Sequence, residues 1–251
     1  MATIYDLLWR STGRFVLFAP SHLAALGLSV ALAALLVMVG RSSATARAKR
    51  ALRLGLGLCI FAFETLYVLY PLPLGSFDVR YSLPLQVCDI TAYATALALL
   101  TGWAPAREVS CFMGLTTTLI ACLTPDMTYD FPHVEFICFF ATHTLVCAAV
   151  LYQVVGLRQW PRPGAARRVF LLINGYGGLM VAVNLALGAN YVYICAKPQL
   201  GSPMDWLGPW PIYIVVMDVL FIGALALVSA ALFRVRGGLP PALPHTEPGG
   251  A

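Results

Sequence analysis

Ionisable side chains inside otherwise apolar stretches are the feature that most constrains this chain. Seven long apolar stretches contain few of them, chiefly Glu64, Asp89, His143 and Asp218. An ionisable group in hydrocarbon costs at least about 2.5 kcal/mol, so such groups normally face a partner or a wet cavity. Counted from the predicted outer end of each stretch, all four fall between the bilayer midplane and the outer surface. The pattern therefore predicts an outward-facing polar cavity within the membrane.

The apolar stretches themselves predict an all-α, polytopic integral membrane protein with seven transmembrane helices. Charged residues make up 11% of the chain, whereas they are about a quarter of an ordinary soluble domain. Most stretches reach the roughly 20 residues that a helix needs to cross the hydrocarbon core. The stretches cover residues 22–39, 54–71, 83–101, 109–124, 133–156, 169–188 and 209–233.

Basic residues divide unequally between the two sides of this predicted bundle. Twelve of the sixteen fall on one side, mostly in loops 40–53 and 157–168 and at Arg234 and Arg236. Because basic loops stay in the cytoplasm, the N-terminus is predicted outside and the C-terminus inside. The same residues sit in short loops between spans, so we expect no nucleic-acid partner.

The chain divides into a predicted interfacial segment (1–21), a seven-helix membrane domain (22–236) and a disordered cytoplasmic tail (237–251). The cysteines form no CxxC pair and no His/Cys spacing typical of zinc, so neither a metal nor another cofactor is predicted. The glycines of NGYGG, residues 174–178, predict a tight approach between helices.

The densest polar segment lies on the outer side, between the fourth and fifth stretches. Asp126, Asp130 and His133 are expected to form a solvated rim or to cap the next helix. Glu135 lies on the same helix face as His143, eight residues further along. Asn184 lies toward the outer end of the sixth stretch, and Trp210 belongs to a Trp/Pro-rich collar typical of the membrane interface.

Five segments together resemble the YwaF family of bacterial integral membrane proteins. They are LPLQVCD (83–89), LTPD (123–126), FPHVEFICFFATH (131–143), NYVYICAKP (190–198) and DWLGPWPIY (205–213). That family is similar to eukaryotic transmembrane proteins proposed to transfer fatty-acyl chains between phospholipids with a cysteine and a histidine. The resemblance implies that Cys88 and His143 take these roles. The family usually has histidine two positions before the cysteine; Gln86 stands there, which weakens the enzymatic interpretation.

The chemistry that the resemblance implies is nucleophilic. The Cys88 thiolate would attack an acyl ester of a membrane lipid, while His143 activates the thiol and later protonates the leaving alkoxide. Asp89 or Glu135 would orient the imidazole, and Gln86 would donate a hydrogen bond to the oxyanion. Glu64, Asn184 and Asp218 are predicted to support these residues or to line the cavity.

Other interpretations remain open from the sequence. A thiol buried in apolar surroundings is inert without an adjacent base, and His143 would instead serve structure if it bonded Glu64 or Asp218. A transporter or proton-coupled carrier is the main alternative to an acyltransferase or lipid hydrolase, followed by a non-enzymatic membrane binding protein. The inner halves of the stretches lack ionisable residues, which favours a one-sided cavity. We expect a multi-pass protein of the bacterial inner (plasma) membrane and predict no oligomeric state.

Overall fold

The protein is helical throughout the part that the computed structural model describes, residues 8–9, 13–198 and 203–238. Within those residues the sole pairing of extended backbone is an isolated bridge between Arg14 and Tyr129. Eight α-helices follow in chain order: α1 Pro20–Arg41, α2 Ala46–Leu69, α3 Val87–Thr101, α4 Ala104–Gly114, α5 Thr117–Leu123, α6 Val134–Leu151, α7 Ala165–Leu187 and α8 Ile212–Gly238.

Among the described residues, six helical segments are long and apolar enough to cross a membrane. Four of them are α1, α2, α7 and α8; α4 and α5 together supply a fifth, and α6 with the π-helical turn Tyr152–Gly156 supplies the sixth. The protein is therefore a multi-pass membrane protein. Helix α3 is apolar but has 15 residues, a length of about 22 Å at 1.5 Å per residue.

Helix α3 begins later than its apolar stretch does. The sequence predicts a span from residue 83, but the segment before Val87 is non-helical and Gln86 acts as the N-cap. Pro84 has no backbone N–H, and the residue before a proline is driven out of the helical region. The apolar residues ahead of α3 therefore form a turn over the helix end.

The helices alternate in direction, which gives the bundle two chemically different ends. We call the end where α1, α3, α6 and α8 begin the site end, and the opposite end, where α7 begins and α8 finishes, the basic end. Residues 13–19 lie at the site end, where the Phe15 amide donates to Thr128 O at 3.0 Å. Part of the predicted interfacial segment (1–7 and 10–12) and most of the tail (239–251) lie outside the described residues, and the proposed roles of both segments stay predictions.

Helix α6 is the centre of the bundle. It packs against α1, α2, α3, α4 and α5, and 72% of its most apolar window is buried, against 6% for α8. The principal contacts of α8 are instead with α7 and the short 3₁₀ turn Pro203–Leu207. Side chains on α6 consequently meet other protein groups, whereas most of α8 faces the surroundings of the bundle.

A close backbone approach joins α1 to the π-helical turn after α6. A Cβ added to Gly40 would lie 2.7 Å from the Gly156 Cα, closer than real Cβ contacts come. The tight approach predicted at NGYGG is not observed, because no atom lies closer than 3.6 Å to a Cβ built on any of its three glycines. Glycine spacing alone does not say which helix face meets a neighbour.

This close approach predicts an asymmetry between two glycines of α1. Gly40→Ala should lower the free energy of unfolding by about 1–3 kcal/mol, because the new methyl group meets backbone that cannot rotate away. Gly27→Ala is the matched control, since a Cβ there has nothing within 4 Å. The measurement is the thermal unfolding midpoint of both variants in detergent. Equal midpoints would contradict the packing described here.

Candidate functional site

The start of α3 is held in place by reciprocal hydrogen bonds around Gln86. The Gln86 amide donates to Asp89 Oδ2 at 2.8 Å, while the Gln86 side chain accepts from the Asp89 amide, which completes a capping box. The Gln86 Oε1 also accepts from the Val192 amide at 2.9 Å. The turn before Cys88 is thereby tied to the loop that follows α7.

Hydrogen bonds to Asn184 and Tyr191 hold that loop in place. Asn184, buried near the end of α7, donates to Tyr191 O at 2.9 Å and accepts from the Tyr191 amide at 2.7 Å. The Tyr191 hydroxyl accepts from the Leu83 amide at 3.0 Å and donates to Val79 O at 2.7 Å. Asn184, predicted to line the cavity, thus positions the loop over the start of α3.

Two carboxyl groups meet beneath this loop. Glu64 of α2 and Asp89 of α3 are both buried, with relative exposures of 2% and 8%, and their side chains lie within hydrogen-bonding reach. A bond between two carboxyl groups requires a proton on one of them. Cys88, half-buried, lies close enough to both carboxyls to interact electrostatically. The predicted clustering of Glu64 and Asp89 is therefore observed, with Cys88 beside them.

Three thiols extend this cluster toward α6. Cys88, Cys122 and Cys147 lie close enough to one another to interact electrostatically. Cys147 also donates to Gly114 O at 3.4 Å. Because Cys147 lies one turn beyond His143 on α6, the two share a helix face. The thiol cluster therefore includes one residue, Cys147, on the face of α6 that carries His143.

His143 has one satisfied ring nitrogen and one unsatisfied nitrogen. Its Nδ1 donates to Phe139 O at 2.8 Å, and the ring stacks on Phe139 at 3.9 Å between centroids. Since a carbonyl only accepts, Nδ1 carries the proton and Nε2 of the neutral ring holds a lone pair. Nε2 is buried without a hydrogen-bond partner among the described residues. The carbonyl of Phe139 takes the orienting position predicted for Asp89 or Glu135.

Unlike His143, His22 at the start of α1 has a hydrogen-bond partner for each of its two ring nitrogens. Its Nδ1 accepts from the Phe18 amide at 3.0 Å, and its Nε2 donates to Cys122 O at 2.9 Å. Both nitrogens of this fully buried ring are thus used to join α1 to α5. Buried polar groups are normally paired in this way, so the lone Nε2 of His143 calls for a separate explanation.

The polar segment before α6 forms a structured rim. Glu135 accepts from the Tyr129 amide at 2.9 Å and from the Thr128 amide at 3.3 Å. Asp126 accepts from the Tyr193 hydroxyl at 2.5 Å, and Asp130 accepts from the Phe131 amide at 2.7 Å. Glu135 consequently serves the loop geometry at the start of α6.

Two groups of this rim have pKa values that their surroundings displace. His133 is the N-cap of α6, where its Nδ1 accepts from the Glu135 amide at 3.1 Å, and burial lowers the pKa of the ring. Burial first, and then the hydrogen bond to Asp126, raises the pKa of the Tyr193 phenol. Both groups stay neutral at pH 7, so the rim is ordered by hydrogen bonds.

Two predicted site residues lie on or beside α8 and away from the carboxyl pair. Asp218 is half-buried on α8, whose principal packing partners are α7 and a 3₁₀ turn. Trp210 is 63% exposed, and its indole N–H donates to Ile194 O at 3.2 Å. Glu64 interacts with Asp89 and with Cys88 of α3. Asp218 as a supporting group of that cluster stays a prediction.

A groove of about 500 Å³ runs between α1 and α6 in the half nearer the site end. Apolar side chains line most of it, together with Ser21 and Thr144; the Ser21 hydroxyl is buried without a hydrogen-bond partner among the described residues. Phe140 lines the groove and packs on Phe139 at 5.3 Å, which in turn stacks on His143. The Phe139 ring therefore lies between the Phe140 wall of the groove and the candidate base.

Sequence reasoning missed two buried ionisable residues, His22 and Glu108. Glu108, near the start of α4, is 2% exposed and accepts from Arg162 Nε at 2.7 Å and from Arg168 Nη2 at 2.8 Å. Both residues lie at the edges of apolar stretches, where a charge is expected to be solvated. The burial of Glu108 could have been predicted from the basic loop 157–168, which lies on the same side of the bundle and offers it an ion-pair partner.

The carboxyl pair predicts different outcomes for two substitutions of Glu64. Glu64→Gln should keep stability within about 1 kcal/mol, because an amide N–H still donates to Asp89. Glu64→Leu should destabilise by about 3–5 kcal/mol, because it leaves a buried carboxylate without its partner. Thermal unfolding midpoints in detergent measure both. Equal losses would show that the two carboxyls do not depend on each other.

Comparison with known proteins shows which family this helical bundle resembles. A sequence profile of the TMEM164 family matches residues 17–229, which include all seven predicted spans up to the last turns of α8. Neither a curated protein nor a solved structure matches the chain. The matched region contains the carboxyl pair, the thiol cluster and His143. On this match over most of its length, the chain belongs to the TMEM164 family.

Proposed function

We propose that the protein is a membrane acyltransferase or lipid hydrolase in which Cys88 is the nucleophile and His143 its base. The observation that carries this proposal is the lone pair on the His143 Nε2, buried and without a hydrogen-bond partner among the described residues. A structural histidine in this position would bond Glu64 or Asp218, the alternative that the sequence left open. General-base activation of a thiol requires an unpartnered basic nitrogen, and the His143 Nε2 is such a nitrogen.

The proposed reaction needs no group beyond those residues and the lipid. His143 Nε2 takes the proton of the Cys88 thiol, and the thiolate sulfur attacks the ester carbonyl of an acyl lipid. The tetrahedral intermediate expels the alkoxide, which takes the proton from His143, and the acyl group remains as a Cys88 thioester. A second lipid hydroxyl, or water, then gives its proton to His143 and attacks the thioester, which restores the thiol.

The remaining residues have supporting roles in this proposal. Asp89 and Gln86 hold the start of α3, and with it Cys88, through the capping box. Phe139 orients the His143 ring through its carbonyl oxygen. The apolar groove between α1 and α6 suits an acyl chain, because it is long, apolar and separated from His143 by the Phe139 ring. The substrate would thus enter sideways from the lipid, and the polar cavity predicted from the sequence would be limited to the space around Cys88.

We further propose seven crossings with the site end outside and the basic end in the cytoplasm of a bacterial inner membrane. Helix α3 supplies the seventh crossing, completed by the non-helical turn before Val87. The orientation is supported by the positive-inside rule, since the linker between α1 and α2 and the loop before α7 are rich in arginine.

A proton-coupled carrier is the second candidate. The Glu64–Asp89 pair favours it, because two carboxyls that share a proton are a common element of proton relays in membranes. The acyltransferase differs from it in one respect that can be measured: it forms a covalent acyl adduct on the chain.

The acyl adduct gives the direct test of the proposed function. Incubation of the purified protein with a phospholipid carrying an alkyne-tagged acyl chain should leave a tag that hydroxylamine removes, because thioesters react with hydroxylamine. Cys88→Ala should abolish the tag, and His143→Ala should slow its formation by about 10²–10⁴, the usual loss with a general base. The measurement is in-gel detection of the tag over time.

Two other cysteines serve as controls for this experiment. Cys147→Ala removes a thiol next to Cys88, and Cys111→Ala removes a buried thiol packed with Val150 and Val154. Both variants should be tagged at the wild-type rate. Tagging that survives Cys88→Ala, or that disappears with Cys147→Ala, would overturn the assignment of the nucleophile. The absence of any tag would favour the carrier.

The proposed orientation predicts the accessibility of one cysteine. Cys195 is exposed in the loop after α7, so a membrane-impermeant maleimide added to intact cells should label it. Cys195→Ser should remove that label, and Cys59, exposed on the membrane-spanning part of α2, should stay unlabelled because it faces lipid. Labelling of Cys195 only after the cells are lysed would reverse the orientation.

A further inference from the structure

A second cavity lies at the basic end, far along the chain from the candidate catalytic residues. It has a volume of about 260 Å³ and lies between the loop before α7 and the last turns of α8. Its walls combine Trp160, Arg162, the first residues of α7, Ser229 and Arg236, and Phe112 and Leu232 supply apolar surface. A cavity of this composition at a membrane interface has both polar and apolar binding surface.

The charge in this cavity is positive. Arg162 uses its Nε for Glu108, and Arg168 neutralises the same carboxylate through Nε at 3.0 Å and Nη2 at 2.8 Å. A guanidinium group has five N–H donors, so Arg162 keeps the donors of its two terminal nitrogens. Arg236 also lines the cavity, is exposed, and makes no ion pair within the described part of the chain. Two arginines are thus available to an anion.

The start of α7 adds donors of a second kind. Gly164 adopts a left-handed conformation with φ of 74° and leads the chain into the helix at Ala165. The first backbone N–H groups of a helix have no carbonyl partner within it and carry partial positive charge. Gly164, Ala165 and Ala166 all line the cavity. Arginine side chains and a helix start therefore converge on one space, which is a favourable arrangement for phosphate.

We infer that this cavity is a binding site for a phosphate group, supplied by the headgroup of an anionic phospholipid or by free phosphate. Arg162 and Arg236 bind the phosphate oxygens, together with the Ala166 amide at the start of α7; the Ala165 amide already donates to Arg162 O at 3.1 Å. Phe112, Leu232 and Phe233 contact the apolar part of a lipid, and Trp160 lies where aromatic residues meet headgroups. Basic pockets between transmembrane helices recognise lipid headgroups in this way. The site is independent of the proposed acyl-transfer chemistry.

The experiment uses the full chain in detergent and two variants of α8. Native mass spectrometry counts bound phosphatidylglycerol in the wild type, in Arg236→Gln and in Arg234→Gln. Arg234 is the matched control, because it is also exposed but lies two residues earlier, about 200° around the helix, and does not line the cavity. We expect Arg236→Gln to lower phosphatidylglycerol occupancy about fivefold, as for one arginine near an anionic lipid, and Arg234→Gln to leave it unchanged.

A second arm distinguishes the two sources of phosphate. Inorganic phosphate at millimolar concentration is added to the protein with and without phosphatidylglycerol, and the thermal unfolding midpoint is measured. If phosphatidylglycerol raises the unfolding midpoint and added phosphate does not reverse that rise, the ligand is a lipid headgroup. If phosphate reverses the effect of the lipid and also raises the midpoint on its own, and if Arg236→Gln abolishes this rise, the ligand is free phosphate. Both results support the site. Equal losses in the Arg234 and Arg236 variants, or no loss in either, overturn it.

Discussion

The need to keep polar side chains away from hydrocarbon is the constraint on which the arrangement of helices depends. Among the described helices, α6 has the most buried polar side chains: Glu135, Thr142, His143 and Thr144. Five helices surround it and cover these groups, and the Thr144 hydroxyl bonds the Ser29 hydroxyl of α1 at 2.5 Å. Helices α7 and α8 carry fewer buried groups and lie at the periphery. The apolar groove opens where α1 meets α6 through small and apolar residues.

The site end stores backbone strain, and its hydrogen bonds account for it. Val192 and Tyr193 have φ of 63° and 51°, in the left-handed region. This conformation costs about 1–3 kcal/mol for a residue other than glycine and persists only where the surroundings over-determine it. Here the Val192 amide donates to Gln86, and Tyr193 O accepts from the Tyr213 hydroxyl at 2.6 Å. These hydrogen bonds therefore keep the strained loop against the start of α3, next to Cys88.

The sequence predicted the membrane class and most spans because hydropathy depends on composition alone. The first stretch, for example, was predicted at 22–39 and α1 covers Pro20–Arg41. Partners were harder to predict, because they depend on which helix faces meet. Glu64 and Asp89 were expected together and do meet, whereas Gly175 makes no tight approach and Gly40 does. The break between α4 and α5 lies at Thr116, with φ of −118° and ψ of −87°; Gly114 precedes it by two residues, but no proline marks it.

The hydrogen bonds that the neighbouring carboxylates already make decide what kind of catalytic unit His143 would form in the proposed function. Asp89 is used by the capping box and by Glu64, and Glu135 is used by the Tyr129 and Thr128 amides. The Phe139 carbonyl is the group that orients the imidazole. A carbonyl fixes the tautomer as a carboxylate would, but it stabilises an imidazolium less because it carries no full charge. A Cys88–His143 unit of this kind is a dyad, in which the Glu64–Asp89 pair lies on the thiol side.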